Sequence, residues 1–494
     1  MGLEIDRERF TPDDFELFEK RLRSSLDVLE AMLEDPSFGR GTSSIGAELE
    51  VALTDERSRP LPLNEEVLRE TVDERMTLEL DRFNLECNLR HVDLAGQPFS
   101  HLRKELESAR TELGRAAALH GGRVAMIGIL PTLLASDLGA DAMSDAVRYR
   151  ALSRSIRAKK EAPFQLHIEG EDPLRLDCED VTFEGAATSF QLHLRVAPAD
   201  FTAVFNAAQL ATAPVLAAAG NSPIFLGHRL WEETRVALFK QTVDDRNKEE
   251  RLARRQPRVS FGSGWLRNGP LDLFREAIEE YPILLPVRYD EDPEEALRSG
   301  TVPGLKEIRL HQGTVWHWNR PVYDAHDGGH VRIELRALPS GPTVEDLLAN
   351  SAFLIGLSLG LAPAMKDVLA SFEFDRAHRN FYRAAQSGLE ADLYWPTVLG
   401  GSGRPMSARA LIPKLAEIAR EGLRTAGIDP SETDPLIDCL LERVETGQTG
   451  SVWQRSSLAS HASRLPWDDA LVRMFEDYSA QSLEGLPAHR WSLG

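Results

Sequence analysis

Polar and apolar residues alternate in short runs over much of the first 345 positions and then give way to helical spacing. The segment TPDDFELFEKRLRSSLDVLEAML sets Phe15, Phe18, Leu22, Leu26, Leu29 and Leu33 three or four residues apart. Thr11 stands as N-cap and Pro12 at the first helical position, so an amphipathic helix is predicted over 12–34. Further helices are predicted at 100–119, at 200–219 ahead of Gly220, and at 343–361 with Thr343 and Asp346 in capping positions. Beyond Ala349 the pattern is almost wholly helical, with loops at LGGSGRP near Gly400 and GIDPSETDP near Asp429. The most apolar run, from Ala352 to Pro363, is too short to span a bilayer and reads as a buried helix.

Four strand-like segments stand out because their polar faces carry charge. In SIGAELEVAL, Ala47, Leu49 and Val51 alternate with Glu48 and Glu50, whose side chains then stand about 7 Å apart on one face. In TLELDRFNLECNL, Leu85, Cys87 and Leu89 oppose Glu86 and Asn88, with Glu79 and Asp81 across a turn or bulge. In TSFQLHLRV, Phe190, Leu192, Leu194 and Val196 oppose Gln191, His193 and Arg195. In HVRIELRAL, Val331, Ile333 and Leu335 oppose Arg332, Glu334 and Arg336. Taken singly, each polar face has a solvent-facing side as its ordinary reading. If the four share a sheet, Glu48, Glu50, Glu86, His193 and Glu334 converge, and such carboxylates raise one another's pKa unless a cation neutralises them. Oxygen donors suit Mg²⁺ or Mn²⁺ better than zinc, and the arginines suit anionic groups.

Composition narrows the field. The 494 residues are 42% hydrophobic and 27% charged, with 57 basic against 78 acidic residues and a formal charge of −21. That describes a soluble globular protein with an acidic surface and leaves no basic footprint for general nucleic-acid binding. Length alone allows about three domains or one large unit. Cys87, Cys178 and Cys439 lie far apart and form neither a disulfide framework nor a zinc spacing, which fits a reducing cytoplasm. The opening MGLEIDRERF has no leader pattern, and Asp6 stands where a myristoylation signal needs Ser or Thr. No membrane partner is expected.

Other motifs carry less. There is no GxxxxGKS/T loop, no GxGxxG opening a helix, no HExxH and no GxSxG nucleophile elbow. His326 and His330 flank two glycines, which favours a turn over a helical metal pair. The charged run from Asp244 to Arg258 has few apolar anchors and reads as a solvated loop or frayed helix end. Trp316, Trp318 and Tyr323 either border a pocket or pack in the core. Cys87 falls on the apolar side and reads as core.

The segments GAELE at Gly46, ELDRFNLECN, TSFQLHL, AGNSPIFLG with Arg235 after it, and RIELRALPSGPT resemble glutamate-cysteine ligase family 2 and related carboxylate-amine ligases, in that order along the chain. The resemblance covers about residues 40–365, with a thinner echo in TGQTGSVWQR near Thr449. It implies an α/β, glutamine-synthetase-like catalytic fold: a curved, mainly antiparallel sheet lining the active site, helices on the outer face, and a helical C-terminal region. In domain terms it implies a catalytic unit over 1–345 with its core from about 40, and a helical extension over 346–494 packed on it. The implied chemistry is ATP- and Mg²⁺-dependent amide formation through an acyl phosphate, with glutamate and cysteine as substrates and glutathione biosynthesis as the setting. Another carboxylate–amine pair, or a non-catalytic nucleotide-binding regulator of the same fold, stands as the alternative. The resemblance implies Glu48, Glu50, Glu79, Glu86, His193 and Glu334 as metal ligands, with Asp81 replacing Glu79 if a bulge turns it inward. It implies Arg336 and Arg235 as catalytic arginines and Arg336 with Gln191 at the nucleotide; a helix-surface arginine is the other reading of Arg235. Partners are small molecules, with a homo-oligomer left open. Arg320 lies fourteen residues before Glu334, a longer hairpin than in compact relatives.

Overall fold

The computed structural model describes residues 5–160 and 163–493; the first four residues of the MGLEIDRERF opening lie outside them. Its centre is an eight-stranded sheet built from β1 (Ser44–Thr54), β2 (Met76–Leu78), β3 (Asn84–Asn88), β4 (Val92–Asp93), β5 (Arg123–Ala125), β6 (Phe190–Arg195), β7 (Asn319–Asp324) and β8 (His330–Leu335). The order is β7-β8-β6-β1-β3-β2, with β4 and β5 pairing the two ends of β1, and every ladder is antiparallel. The sheet curls into a half-barrel, so the α/β glutamine-synthetase-like expectation holds.

Period-two alternation explains the layering. Ile45, Ala47, Leu49, Val51, Leu85, Cys87, Leu192, Leu194, Ile333 and Leu335 are buried together on one face. Of the helices α1 (Pro12–Glu34), α2 (Pro98–Ala118), α3 (Val147–Lys159), α4 (Phe201–Ala219), α5 (Thr234–Thr242) and α6 (Val344–Leu361), α2, α4 and α6 lie against the strands of the sheet. The α1 start is capped reciprocally by Thr11 and Asp14, and Phe18, Leu22 and Leu29 bury its apolar stripe while Phe15 stays exposed. After α6 come α7 (Ala408–Thr425), α8 (Pro430–Thr446), α9 (Gly450–Ala462) and α10 (Trp467–Glu484), among other helices. The apolar core runs without a break across position 345.

Helices α4 and the stretch Val344–Ser371 are long and apolar enough to cross a membrane, but 89% and 72% of their apolar windows are buried within the protein. The string Gly356–Leu357–Ser358–Leu359–Gly360 does spell GxSxG, against the sequence reading, yet it lies inside α6 rather than at a strand-to-helix turn. Ser358 is buried and donates to the Leu354 carbonyl at 2.7 Å. Its glycines serve packing: a Cβ on Gly356 would stand 2.6 Å from the Ala419 carbonyl oxygen of α7.

Three further sequence expectations meet the structure here. The run from Asp244 to Arg258 is solvated in its middle, where residues 247–249 and 251–254 are exposed around the short helix Lys248–Leu252, but its two ends are buried. Asp245 is fully buried and accepts ion pairs from Arg258 at 2.9 Å, Arg255 at 3.0 Å and Lys159 at 3.2 Å, while Arg246 holds Asp244 at 2.8 Å. The charges neutralise one another in the interior, which is the condition for burying them. The aromatics resolve towards packing: Trp318 and Tyr323 are buried, Trp318 sits against Phe239 and Phe381, and the partly exposed Trp316 lies against Phe239. His326 and His330 flank a 3₁₀ turn between β7 and β8, as expected.

Candidate active site

Register brings the charged residues together. Glu48 lies opposite Gln191 on β6 and Asn88 on β3; Glu50 lies opposite Glu86; His193 lies opposite Glu334, which itself faces Arg320 on β7. All these side chains occupy the polar face, and the structure sorts the six expected ligands into two triads. In the first, donor atoms of Glu48, His193 and Glu334 lie within 4.8 Å of one another; in the second, those of Glu50, Glu79 and Glu86 do.

The triads differ in charge. Around the first, His193 Nε2 is 3.0 Å from Glu48 Oε1, and Glu334 receives both Arg320 and Arg336, with Arg336 Nη1 at 3.2 Å. Burial opposes ionisation of Glu48 and Glu334. His193 nevertheless holds Glu48 down to about 2, and Arg320 with Arg336 holds Glu334 well below the usual carboxylate range. In the second triad, burial and the neighbouring Glu86 and Glu50 push Glu79 well up, against Arg148. Burial also raises Glu50 and Glu86, Glu50 despite its bonds from Ser189 N at 2.6 Å, Ser189 Oγ at 2.8 Å and Gln191 Nε2 at 2.8 Å. Three converging carboxylates short of positive charge form an all-oxygen donor set, the chemistry of a hard divalent cation.

His193 is oriented from behind. Arg332 Nε donates to His193 Nδ1 at 3.0 Å, which fixes the ring proton on Nε2, where it is donated to Glu48. Coordination through Nε2 therefore requires that proton to leave or the Arg332 bond to open. Arg332 is also tied to Asp324 at 2.6 Å, and Arg195 to Asp327 at 3.1 Å and the Arg40 carbonyl at 3.2 Å. Neither is free for an anionic ligand in this arrangement.

Arg336 lies just beyond β8 and bridges the two triads: its Nη1 donates to Glu334 and to Gln191 Oε1, and Gln191 in turn donates to Glu50. Arg235 is buried in α5 rather than on a helix surface. Its Nη1 donates to Glu233 at 3.0 Å and the Ala337 carbonyl at 3.3 Å, and its Nε is buried without a partner among the described residues. Sequence reasoning missed Glu184, on the short helix Thr182–Gly185, and Arg148 at the start of α3. Burial and Glu50 raise Glu184 to about 8, against the pull of Arg336 and Arg235. Neither residue falls on a strand alternation, so no period marked them.

Of Glu79 and Asp81, the Glu79 carboxylate is the one that lies in a triad. The Asp81 carboxyl is fully buried beside Gly185, and among the described residues neither of its oxygens has a hydrogen-bond partner. Burial, with Glu184 and Asp180 nearby, pushes its carboxyl well above 3.8. A raised folded pKa means that stability falls as pH rises above the unfolded value of about 3.8. Asp81→Asn is therefore expected to be more stable than the native chain at pH 7, by about 1 kcal/mol, and to lose that advantage near pH 4. Denaturant melts at the two pH values check it.

Residues 44–470 match the family model described as glutamate-cysteine ligase family 2 (GCS2), further towards the C-terminus than the motifs alone reach. Fold, site and match together define a carboxylate-amine ligase. The chain belongs to glutamate-cysteine ligase family 2. Among curated proteins, none matches its sequence. Among solved structures, it is similar to a glutamate–cysteine ligase of Francisella tularensis in complex with AMP, 11% identical, with a TM-score of 0.55 and 93% of this chain and 91% of that one covered. A bifunctional glutathione synthetase of Pasteurella multocida is 10% identical, with a TM-score of 0.48 over 93% of this chain and 53% of that one.

Proposed function

We propose that this ligase consumes ATP with Mg²⁺, or Mn²⁺ in its place, and joins the γ-carboxylate of glutamate to the amine of cysteine through an acyl phosphate. The observation that carries this reading is the pair of acid triads on one sheet face, bridged by Arg336 and Gln191. The Francisella relative is a glutamate–cysteine ligase in complex with a nucleotide, which supports both the substrate pair and ATP.

A free carboxylate is a poor electrophile, and phosphorylation gives it a leaving group. Glu50, Glu79 and Glu86 would hold one cation and Glu48, Glu334 and His193 another. Bound divalent cations supply charge neutralisation of the transferring phosphoryl group. Arg336 has a guanidinium fork suited to phosphoryl oxygens, and its bond to Gln191 holds that fork in place. Arg235, braced by Glu233, suits the carboxylate of an amino-acid substrate. Glu184, raised to about 8, has the affinity to accept a proton from the incoming ammonium. The surrounding burial keeps water from the acyl phosphate, which it would hydrolyse.

The test is a matrix of amino acids and amines with ATP and Mg²⁺, read by phosphate release and product mass. The expected result is phosphate and ADP in step with a product whose mass is glutamate plus cysteine less one water. Turnover of a different pair would replace the substrates and keep the chemistry. No phosphate release with any pair would contradict ligase activity and leave a non-catalytic nucleotide-binding regulator.

A further inference from the structure

Far from the ligase triads in sequence, the C-terminal region carries a third group of metal-capable side chains. Asp346 sits in the first turn of α6, Cys439 in α8, and His489 in the 3₁₀ turn Ala488–Arg490. A carboxylate oxygen, the thiol sulfur and a ring nitrogen of these residues lie within 4.8 Å of one another, and all three are buried. Positions 346, 439 and 489 form no motif, so the sequence reading found no zinc spacing here.

The histidine points to a ligand. Its Nε2 faces Glu442 Oε2 at 3.1 Å, which sets the ring proton on Nε2 and leaves Nδ1 as a lone pair. That Nδ1 is buried, in a residue 7% exposed, and has no hydrogen-bond partner among the described residues. A histidine that gives one ring proton to a carboxylate and keeps its other nitrogen buried and bare has the arrangement that zinc-ligating histidines show. Cys439 adds sulfur, which the ligase triads lack, and sulfur with imidazole and one carboxylate oxygen is a zinc donor set rather than a magnesium one.

We propose that Asp346, Cys439 and His489 bind a zinc ion, with a water molecule as its fourth ligand, that fastens the C-terminal turn to α6 and α8. The turn is already tied to α8, where His489 and Arg490 meet Glu442, and to α6, where Ala488 N donates to Asp346 Oδ2 at 3.0 Å. Thr343 Oγ1 donates to the same oxygen, and Arg443 Nη2 reaches Asp346 Oδ1 at 2.8 Å. Arg443 and the ion together balance Asp346, Glu442 and a Cys439 thiolate, while Arg490 touches Glu442 from the solvent side. On binding, the thiol loses its proton to solvent and a zinc–sulfur bond forms, with no redox change. Zinc bonds of about 2.0–2.3 Å require the donors to draw in by roughly 1 Å.

The test uses cobalt(II) on the full chain, with the ligase triads kept saturated by excess Mg²⁺. Thiolate-bound cobalt absorbs in the near ultraviolet, and oxygen or nitrogen ligands alone do not give that band. The expected result is a band that saturates at one equivalent, disappears on adding zinc, and is absent in Cys439→Ser and in His489→Gln. Cys178→Ser should keep it, and Glu442→Gln should weaken cobalt binding about 10–100-fold. No band in the native chain, or an undiminished one in Cys439→Ser or His489→Gln, overturns the site. The result is independent of which substrates the ligase joins.

Discussion

Glu79→Gln is expected to lower turnover by about two to three orders of magnitude while making the metal-free protein more stable. The two effects share one cause. Glu79 is pushed well above its usual range by burial and by Glu86 and Glu50, so ionising it in the folded state is unfavourable. Glutamine keeps the shape, and its amide oxygen can still accept from Leu80 N, which now bonds Glu79 Oε2 at 3.1 Å. A group whose folded pKa is raised destabilises the fold increasingly as pH climbs above the unfolded value of about 4.5. The variant's advantage in melting temperature should therefore be larger at pH 8 than at pH 4.5. Millimolar Mg²⁺ should narrow or reverse it, because a ligand stabilises the state that binds it and the variant has lost one carboxylate of the all-oxygen triad. Calorimetric melts with and without Mg²⁺, beside initial rates, check both halves.

Arg336→Lys is expected to reduce kcat by about two to three orders of magnitude with little change in the number of cations bound. Arg336 Nη1 serves two acceptors, Gln191 Oε1 and Glu334 Oε2, leaving the rest of its planar fork to meet a phosphoryl group. An ammonium is a point charge that cannot hold both acceptors and present a bidentate face. Gln191 would lose its anchor, and through it the bond to Glu50. Glu334 would keep Arg320, so the first triad should stay assembled. A loss concentrated in kcat, with Mg²⁺ dependence preserved, separates this role from that of Glu79.

Much of the polar face was legible because a strand exposes alternate residues and the alternation in SIGAELEVAL and TSFQLHLRV is clean. Period two put Glu48 with Glu50, and Gln191 with His193, before any pairing was known. What alternation could not show is which strands lie side by side. The division of the acids into two triads depends on β1 lying between β3 and β6, a long-range pairing absent from any one segment. The same limit hid Glu184 and Arg148, which reach the site from short or irregular elements, and left Asp81 and Glu79 unresolved. The ends of the Asp244–Arg258 run misled for a related reason. The run's density of charge resembles a solvated segment, but Asp245 and Arg258 pair with each other, and Lys159, some 86 residues earlier, joins them. The aromatic residues of the β7 region were undecided in sequence because a Trp or Tyr suits a pocket wall and a core equally; Phe239 and Phe381 decide it for Trp318.

The central claim is that the two triads are separate cation seats, one all-oxygen and one containing His193. Counting bound Mn²⁺ by electron paramagnetic resonance tests it most directly, in the native chain and in Glu79→Gln under identical free Mn²⁺. The account predicts that Glu79→Gln binds one Mn²⁺ fewer than the native chain while a second remains bound; equal numbers in the two proteins would contradict it.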